Sequence, residues 1–190
     1  MRTNKIVLRT VRVGVMSAVS VVLMFIIRFP LFSAVPFLEY TPAGVPILFG
    51  TLMFGTIEGL FIALIVSIVQ GVTVSSASGP IGILMQFLAM SSFVLTTSLI
   101  YKAKRTTMGA LISLVAGSII VTIAMIGLNL VFTPLFLYAT TGMTMEVARA
   151  MVWQLMPMII AFNAVKSIIN SAITFVIFRT LRDKLNRFDI

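Results

Sequence analysis

The stretch that decides the fold is Met108–Phe132, MGALISLVAGSIIVTIAMIGLNLVF, which runs for 25 residues without a charged side chain. A helix needs about 20 apolar residues to cross the hydrocarbon core of a bilayer. Apolar runs recur along the chain: 59% of its 190 residues are hydrophobic and only 10% are charged, against about 25% charged in a soluble domain. A soluble fold could not bury this much apolar surface. The sequence therefore predicts a membrane protein whose spans are helices.

The apolar runs predict an all-α bundle of six transmembrane helices, formed by the whole chain, residues 1–190, as a single domain. The second helix is short for a span. The predicted helices cover residues 11–29, 45–54, 60–74, 81–101, 108–132 and 157–178.

The connections are also predicted from composition. A long first loop spans residues 30–44, and residues 55–59 are expected to form a tight turn with Glu58 in water. Helix 5 is expected to end near Pro134, because proline cannot continue the hydrogen-bond ladder of a helix. A polar connection is expected to follow helix 5, with a short interfacial helix at residues 144–153.

The lysine and arginine residues indicate an orientation. Six spans place both termini on the side of the Lys102–Arg105 turn. Eleven basic residues then lie on this side, against two on the other, Arg28 and Arg149. The positive-inside rule predicts a multi-pass protein of the cell membrane with both termini in the cytoplasm. This distribution accounts for the net charge of +9, so no nucleic-acid partner is expected.

Several function classes are excluded by missing residue types. The chain has no cysteine and no histidine, which removes thiolate and imidazole metal sites and Ser–His nucleophiles. It has no G-x-x-x-x-G-K-[ST] phosphate loop, so it is not expected to hydrolyse ATP. No carboxylate pair lies within the predicted spans, and no inverted repeat is evident, which argues against a self-sufficient secondary transporter. The sequence favours a binding subunit, not an enzyme, with neither metal nor cofactor.

Polar residues inside the predicted membrane region point to a site. Lys166 stands 13 residues before Arg179, so roughly 20 Å from that end of the helix at about 1.5 Å per residue. Asn129, Gln86 and Gln70 likewise lie toward the outer ends of their helices. Buried polar groups are costly in a bilayer and mark functional sites, so we expect these groups to converge in the outer half of the bundle.

In helix 6, Asn163, Lys166 and Asn170 are spaced i, i+3, i+7, which places them on one stripe. Amide and ammonium donors suit a ligand rich in carbonyl and ring-nitrogen acceptors, and an apolar wall suits its flat body. The alternative is that amides such as Asn170, Gln86 and Gln70 only form bonds between helices. This alternative is less favoured for Lys166, because its side chain lies too deep to reach the surface.

Helix 1 carries Gly14 and Ala18, a pair of small residues that allows another helix to approach closely. The pair could serve packing inside the bundle or form a docking face for a partner, and the sequence leaves both alternatives open.

Four motifs occur along the chain: FLEYTPAGVPIL (residues 37–48), QGVT (70–73), NLVFTP (129–134) and FNAVK (162–166). In their order and spacing they resemble the riboflavin-type S components of energy-coupling-factor (ECF) transporters. The Asn-x-x-Lys element of the fourth motif is the most specific part. The chain departs from the family at residues 41–44, Thr-Pro-Ala-Gly, where many members have Asp-Pro-Ala-Asp.

The resemblance implies a six-helix bundle that captures riboflavin from outside the cell as a transported ligand. It implies that the isoalloxazine ring is hydrogen-bonded by Asn129, Asn163 and Lys166. It also implies that the first loop acts as a lid, which brings three further residues near the ligand, namely Leu38, Tyr40 and Pro42.

The resemblance further implies the partners. These are a transmembrane coupling protein, which would dock on Gly14 and Ala18, and two ABC ATPase subunits. Three alternatives stay open from the sequence: an S component for another vitamin or flavin, a stand-alone small-molecule transporter, and a membrane enzyme.

Overall fold

The computed structural model describes residues 2–33, 35 and 38–187, and the side chains of residues 5–33, 35 and 38–182 within them. In this part of the chain there are six α-helices and a two-stranded hairpin, β1 (Phe29–Pro30) with β2 (Glu39–Tyr40). A 3₁₀ turn, Ser76–Ser78, precedes the fourth helix. The helices are α1 (Arg2–Ile26), α2 (Gly44–Phe54), α3 (Thr56–Val72), α4 (Gly79–Ala103), α5 (Thr107–Thr141) and α6 (Met145–Arg187).

The helix pattern confirms an all-α membrane protein. Among the described residues, α1, α4, α5 and α6 are each long and apolar enough to cross a membrane. The helices α2 and α3 are also apolar but shorter, with 11 and 17 residues. The short second helix expected from the sequence is therefore present.

Two prolines that were predicted to mark helix boundaries, Pro134 and Pro157, lie inside their helices instead. Helix α5 continues through Pro134 to Thr141 and ends at Gly142, whose φ of 71° is left-handed. Helix α6 begins at Met145 and includes Pro157, so the separate interfacial helix at 144–153 is wrong. In a bundle within lipid no bulk water competes for the carbonyls that proline frees, and neighbouring groups satisfy them, so a helix persists through proline.

The α2–α3 connection is tighter than predicted. Gly55 alone separates the two helices, with φ of 113°, a conformation that glycine adopts without strain. Glu58 lies in the first turn of α3 and is buried, and its Oε1 accepts a 2.6 Å hydrogen bond from Nε of Arg9. The expectation of a solvated Glu58 in a longer turn is wrong, because a cation of α1 neutralises the carboxylate inside the bundle.

The bundle has two different ends. One, which we call the basic end, carries the Gly55 turn, the start of α1 and the α4–α5 turn at residues 104–106. The other, which we call the loop end, carries the first loop (residues 27–43), the 3₁₀ turn and Gly142. Between them α5 packs along α6, where the hydroxyls of Ser118 and Ser171 lie 2.8 Å apart.

Candidate binding site beneath the first loop

The first loop enters the bundle at the loop end. The segment from Tyr40 to Ala43 is buried, and the Tyr40 side chain is only 4% exposed. The Tyr40 hydroxyl donates a 3.0 Å hydrogen bond to Oδ1 of Asn170 on α6. Irregular backbone is tolerated at this depth only where protein covers it, as the surrounding helices do here.

Asn170 therefore contacts the loop and the start of α2. A Cβ atom at Gly44 would lie 2.7 Å from Nδ2 of Asn170, so the missing side chain at position 44 allows α2 to begin against α6. The sequence left two roles open for Asn170, contact with a ligand and a hydrogen bond between helices. In the structure its side chain accepts a hydrogen bond from the first loop.

A cavity of about 120 Å³ remains under the loop. Pockets for drug-sized ligands measure about 300–1,000 Å³, so this site is closed. Oε1 of Gln70 is buried without a hydrogen-bond partner among the described residues, and Arg28 forms an ion pair with Glu39 at the rim. The cavity is lined by Arg28, Leu38, Glu39, Thr41, Gln70, Val74, Ser75 and Phe162.

Lys166 lies beside this cavity. Its Nζ is 5.5 Å from the ring centroid of Phe162, which is one helical turn away and forms part of the cavity wall. Neither of the two salt bridges among the described residues involves Lys166. Lys166 as a whole residue is half-buried, and a ring face stabilises a cation by about 0.5–2 kcal/mol. Lys166 is thus a charged donor without a carboxylate partner in the described part of the chain.

The amides of Asn129 and Asn163 are bonded within their own helices. Nδ2 of Asn129 donates to the carbonyl of Met125, and Nδ2 of Asn163 donates to that of Ile159, each at 2.8 Å. Oδ1 of Asn129 accepts a 2.9 Å bond from the Thr133 hydroxyl. Both amides are buried, and their donors satisfy backbone carbonyls in this closed state.

Leu38 of the first loop packs in the apolar cluster between α5 and α6. On α5 its neighbours in the cluster include Ile126 and Leu130, which flank Asn129. On α6 they include Ile159, one turn before Asn163. A loop side chain therefore lies against the turns that carry the two amides.

Other predicted residues lie outside the cavity. Gln86 is half-buried on α4 and does not line it. Asn129 does not line it either. Pro42 is buried, and its carbonyl accepts the backbone N–H of Val45 at 3.0 Å. Sequence reasoning did not single out Phe162, although it stands four residues before Lys166 and thus on the same helical face.

The small residues of α1 face outward. Gly14 and Ala18 are exposed, and a Cβ at Gly14 would meet no atom within 4 Å. The buried side of α1 carries Val13, Ser17 and Met24 instead. The alternative that Gly14 and Ala18 serve packing inside the bundle is therefore wrong.

A second, wider cavity does not match the predicted site. It is a groove of about 690 Å³ along the outside of α5 and α6, from Leu111 to Ile126 on α5. Most of its lining residues are aliphatic, and it contains neither amide nor lysine. Four hydroxyl residues also line it, but their hydroxyls donate to backbone carbonyls; they are Ser118, Thr122, Ser167 and Ser171. The groove lacks the donors that would orient a polar ring.

Comparisons with known proteins agree along nearly the whole chain. The family described as "ECF transporter, substrate-specific component" matches residues 8–178. The chain is 33% identical to riboflavin transporter RibU of Staphylococcus aureus (strain TCH60), covering 98% of this chain and 95% of that protein. It is 27% identical to riboflavin transporter FmnP of Bacillus subtilis (strain 168), covering 96% and 94%. A solved S component of a bacterial ECF transporter superposes with a TM-score of 0.74 at 32% identity, covering 96% of this chain and 98% of that one.

Proposed function

Because the chain belongs to the substrate-specific components of ECF transporters, we propose that it captures riboflavin at the loop end and delivers it for import. Two independent observations support this proposal, one from the relatives and one from the structure. The relatives that match over nearly the full chain are named as riboflavin transporters. In this chain, Asn170 of the polar stripe on α6 accepts a hydrogen bond from Tyr40 of a loop that enters the bundle.

Binding requires the first loop to move. A flavin ring system does not fit the cavity of about 120 Å³. We propose that Leu38 and Tyr40 withdraw, that the isoalloxazine takes the space Leu38 vacates, and that the loop with Pro42 then closes as a lid. The Tyr40–Asn170 bond would break during access and re-form on closure.

We propose that four polar side chains then contact the ligand, of which Gln70 already lines the cavity. Lys166 would donate to a flavin carbonyl or ring nitrogen. Asn163 and Asn129 would exchange their bonds to backbone carbonyls for bonds to the ring edge, and Gln70 would offer its unpartnered Oε1 to a ring N–H. Gln86 lies outside the cavity lining and is the weakest member of the predicted set.

The energy for import comes from partners. We propose that Gly14 and Ala18 dock against the transmembrane coupling protein, which works with two ABC ATPase subunits. Small residues exposed to lipid gain contact only when another helix approaches. The chain has no phosphate loop, so ATP hydrolysis belongs to the partners.

The proposed orientation places the basic end in the cytoplasm, with the whole chain as one membrane domain. The first loop together with α2 completes the second crossing, so both termini lie inside. Single cysteines at Ser78 and Thr106 should then react with an impermeant thiol reagent from opposite sides of the membrane. Labelling from the same side would contradict the six crossings.

The substrate is tested by titrating the purified apo protein in detergent with riboflavin. We expect saturable quenching of flavin fluorescence at a one-to-one ratio, and yellow protein when it is purified from cells that contain riboflavin. Tight binding of another vitamin, without quenching of flavin fluorescence, would overturn the proposal that riboflavin is the substrate. The assignment to the family would not change. Uphill uptake by the chain alone would instead indicate a stand-alone transporter.

A further inference from the structure

A third cavity, an open pocket, lies at the basic end, remote from the candidate riboflavin site. It has a volume of about 460 Å³ and lies between the end of α2, the end of α4 and the last turns of α6. Three cationic side chains line it, those of Lys102, Arg105 and Arg182, and no acidic residue is among its described lining residues. Three like charges around one cavity repel each other unless an anion balances them.

Arg182 has an unused donor. Its Nη2 donates a 2.9 Å hydrogen bond to the backbone carbonyl of Arg105, and its guanidinium carbon lies 5.9 Å from the Phe178 ring centroid. Its Nη1 is buried and has no hydrogen-bond partner in the described part of the chain. A buried charged donor without an acceptor is costly. The unpartnered Nη1 of Arg182 therefore indicates a place where a ligand could supply an acceptor.

Lys102 is positioned by neutral groups only. Its Nζ donates to the Thr56 hydroxyl at 2.7 Å, and that hydroxyl lies 2.5 Å from the hydroxyl of Ser98. An ammonium has three donors, so two remain for a further acceptor. Ser98 and Tyr101 also line the cavity, which adds two hydroxyls to the donors around it.

We propose that this cavity binds a phosphate group, contributed either by the headgroup of an acidic phospholipid or by free inorganic phosphate. A guanidinium presents its N–H donors in a fork that matches phosphate oxygens, and a lysine adds a point charge. Arg182 Nη1 and Lys102 Nζ are the principal donors. The volume of about 460 Å³ leaves room for the glycerol part of a headgroup.

The lipid source is tested on the full chain by native mass spectrometry, with phosphatidylglycerol and phosphatidylcholine as competing probes. We expect the parent protein to retain phosphatidylglycerol in preference, and Arg182→Gln and Lys102→Gln each to weaken retention about 10-fold. Arg179→Gln is the matched control, because it removes an exposed cation of the same helix end that does not line the cavity. Retained riboflavin binding would show that each variant is folded.

The free-anion source is tested by calorimetric titration of the same proteins with inorganic phosphate in a zwitterionic detergent. Saturable binding that Arg182→Gln weakens would assign the site to free phosphate, and lipid retention alone would assign it to a headgroup. Binding of neither probe, or an equal loss in Arg179→Gln, would overturn the proposal.

Discussion

Two stripes at helical spacing lie within the bilayer and face opposite ways. The inner stripe of α6, Asn163, Lys166 and Asn170, is polar. Asn170 bonds the first loop, and Lys166 lies over the ring of Phe162, which lines the cavity under that loop. The outer stripe of α1, Gly14 and Ala18, is small, apolar and exposed. Polar groups are costly in lipid and are therefore turned inward, whereas small residues cost little on the outside and allow another helix to dock. In the proposed function, capture and coupling therefore use separate surfaces, and substitutions should disrupt them separately.

The largest effect is expected from blocking the outer stripe. Ala18→Trp should reduce riboflavin uptake about 150-fold in proteoliposomes containing the ECF module, because overpacking a close helix contact costs up to about 3 kcal/mol. Riboflavin affinity in detergent should not change. Val19→Trp, at a neighbouring exposed position that is 42% accessible, is the control and should transport normally. A loss of binding in Ala18→Trp would mean that this stripe supports the bundle itself.

Lys166→Met should break the inner stripe and leave the outer one intact. It removes the charge and the donors while keeping the length of the side chain. A hydrogen bond from a charged group contributes about 1.5–3 kcal/mol, so riboflavin affinity should fall about 10- to 150-fold. Fluorescence titration measures this, and an unchanged melting temperature shows that the fold is intact. A variant that binds as tightly as the parent would make Lys166 a structural residue.

Asn163→Leu tests the same stripe without a change of charge. The loss of one neutral donor in a dry pocket should cost about 1–2 kcal/mol, or about 5- to 30-fold in affinity. The matched variant on the facing helix is Asn129→Leu, for which we expect a similar loss. If either leaves the dissociation constant unchanged, that amide keeps its bond to the backbone carbonyl in the bound state and does not reach the ligand.

The smallest effect is expected where the first loop meets the inner stripe. Tyr40→Phe and Asn170→Leu each remove the same 3.0 Å hydrogen bond, worth about 0.5–1 kcal/mol, so riboflavin should dissociate about 2- to 5-fold faster. The double variant should be no faster than the single ones, because only one bond is lost. Stopped-flow dissociation measures all three. A complete loss of binding in Asn170→Leu alone would place the ligand deeper, in direct contact with Asn170.

The helices and the α6 stripe were predictable because their signals are local. Apolar runs set the number of helices, and the spacing of Asn163 and Lys166 sets their shared face. The boundaries at Pro134 and Pro157 were not predictable by the rule for soluble helices, because a proline is tolerated once lipid and neighbouring helices replace water.

Contacts between residues far apart in the sequence could not be predicted from it either. The Tyr40–Asn170 bond joins residues 130 positions apart, and the Arg9–Glu58 pair joins residues 49 apart. No periodicity encodes such pairings, because they depend on how the helices are arranged around one another. The depth of the first loop, and hence the closed state of the site, followed only from the structure.

The most direct test of the account is a structure of the chain with riboflavin bound. We predict that the isoalloxazine lies at the loop end in the space that Leu38 now occupies, within hydrogen-bond distance of Lys166 and Asn163. The first loop should cover it, and Gly14 and Ala18 should remain free on the outside. Riboflavin in the groove outside α5 and α6, or bound without contact to Lys166 and Asn163, would contradict the account.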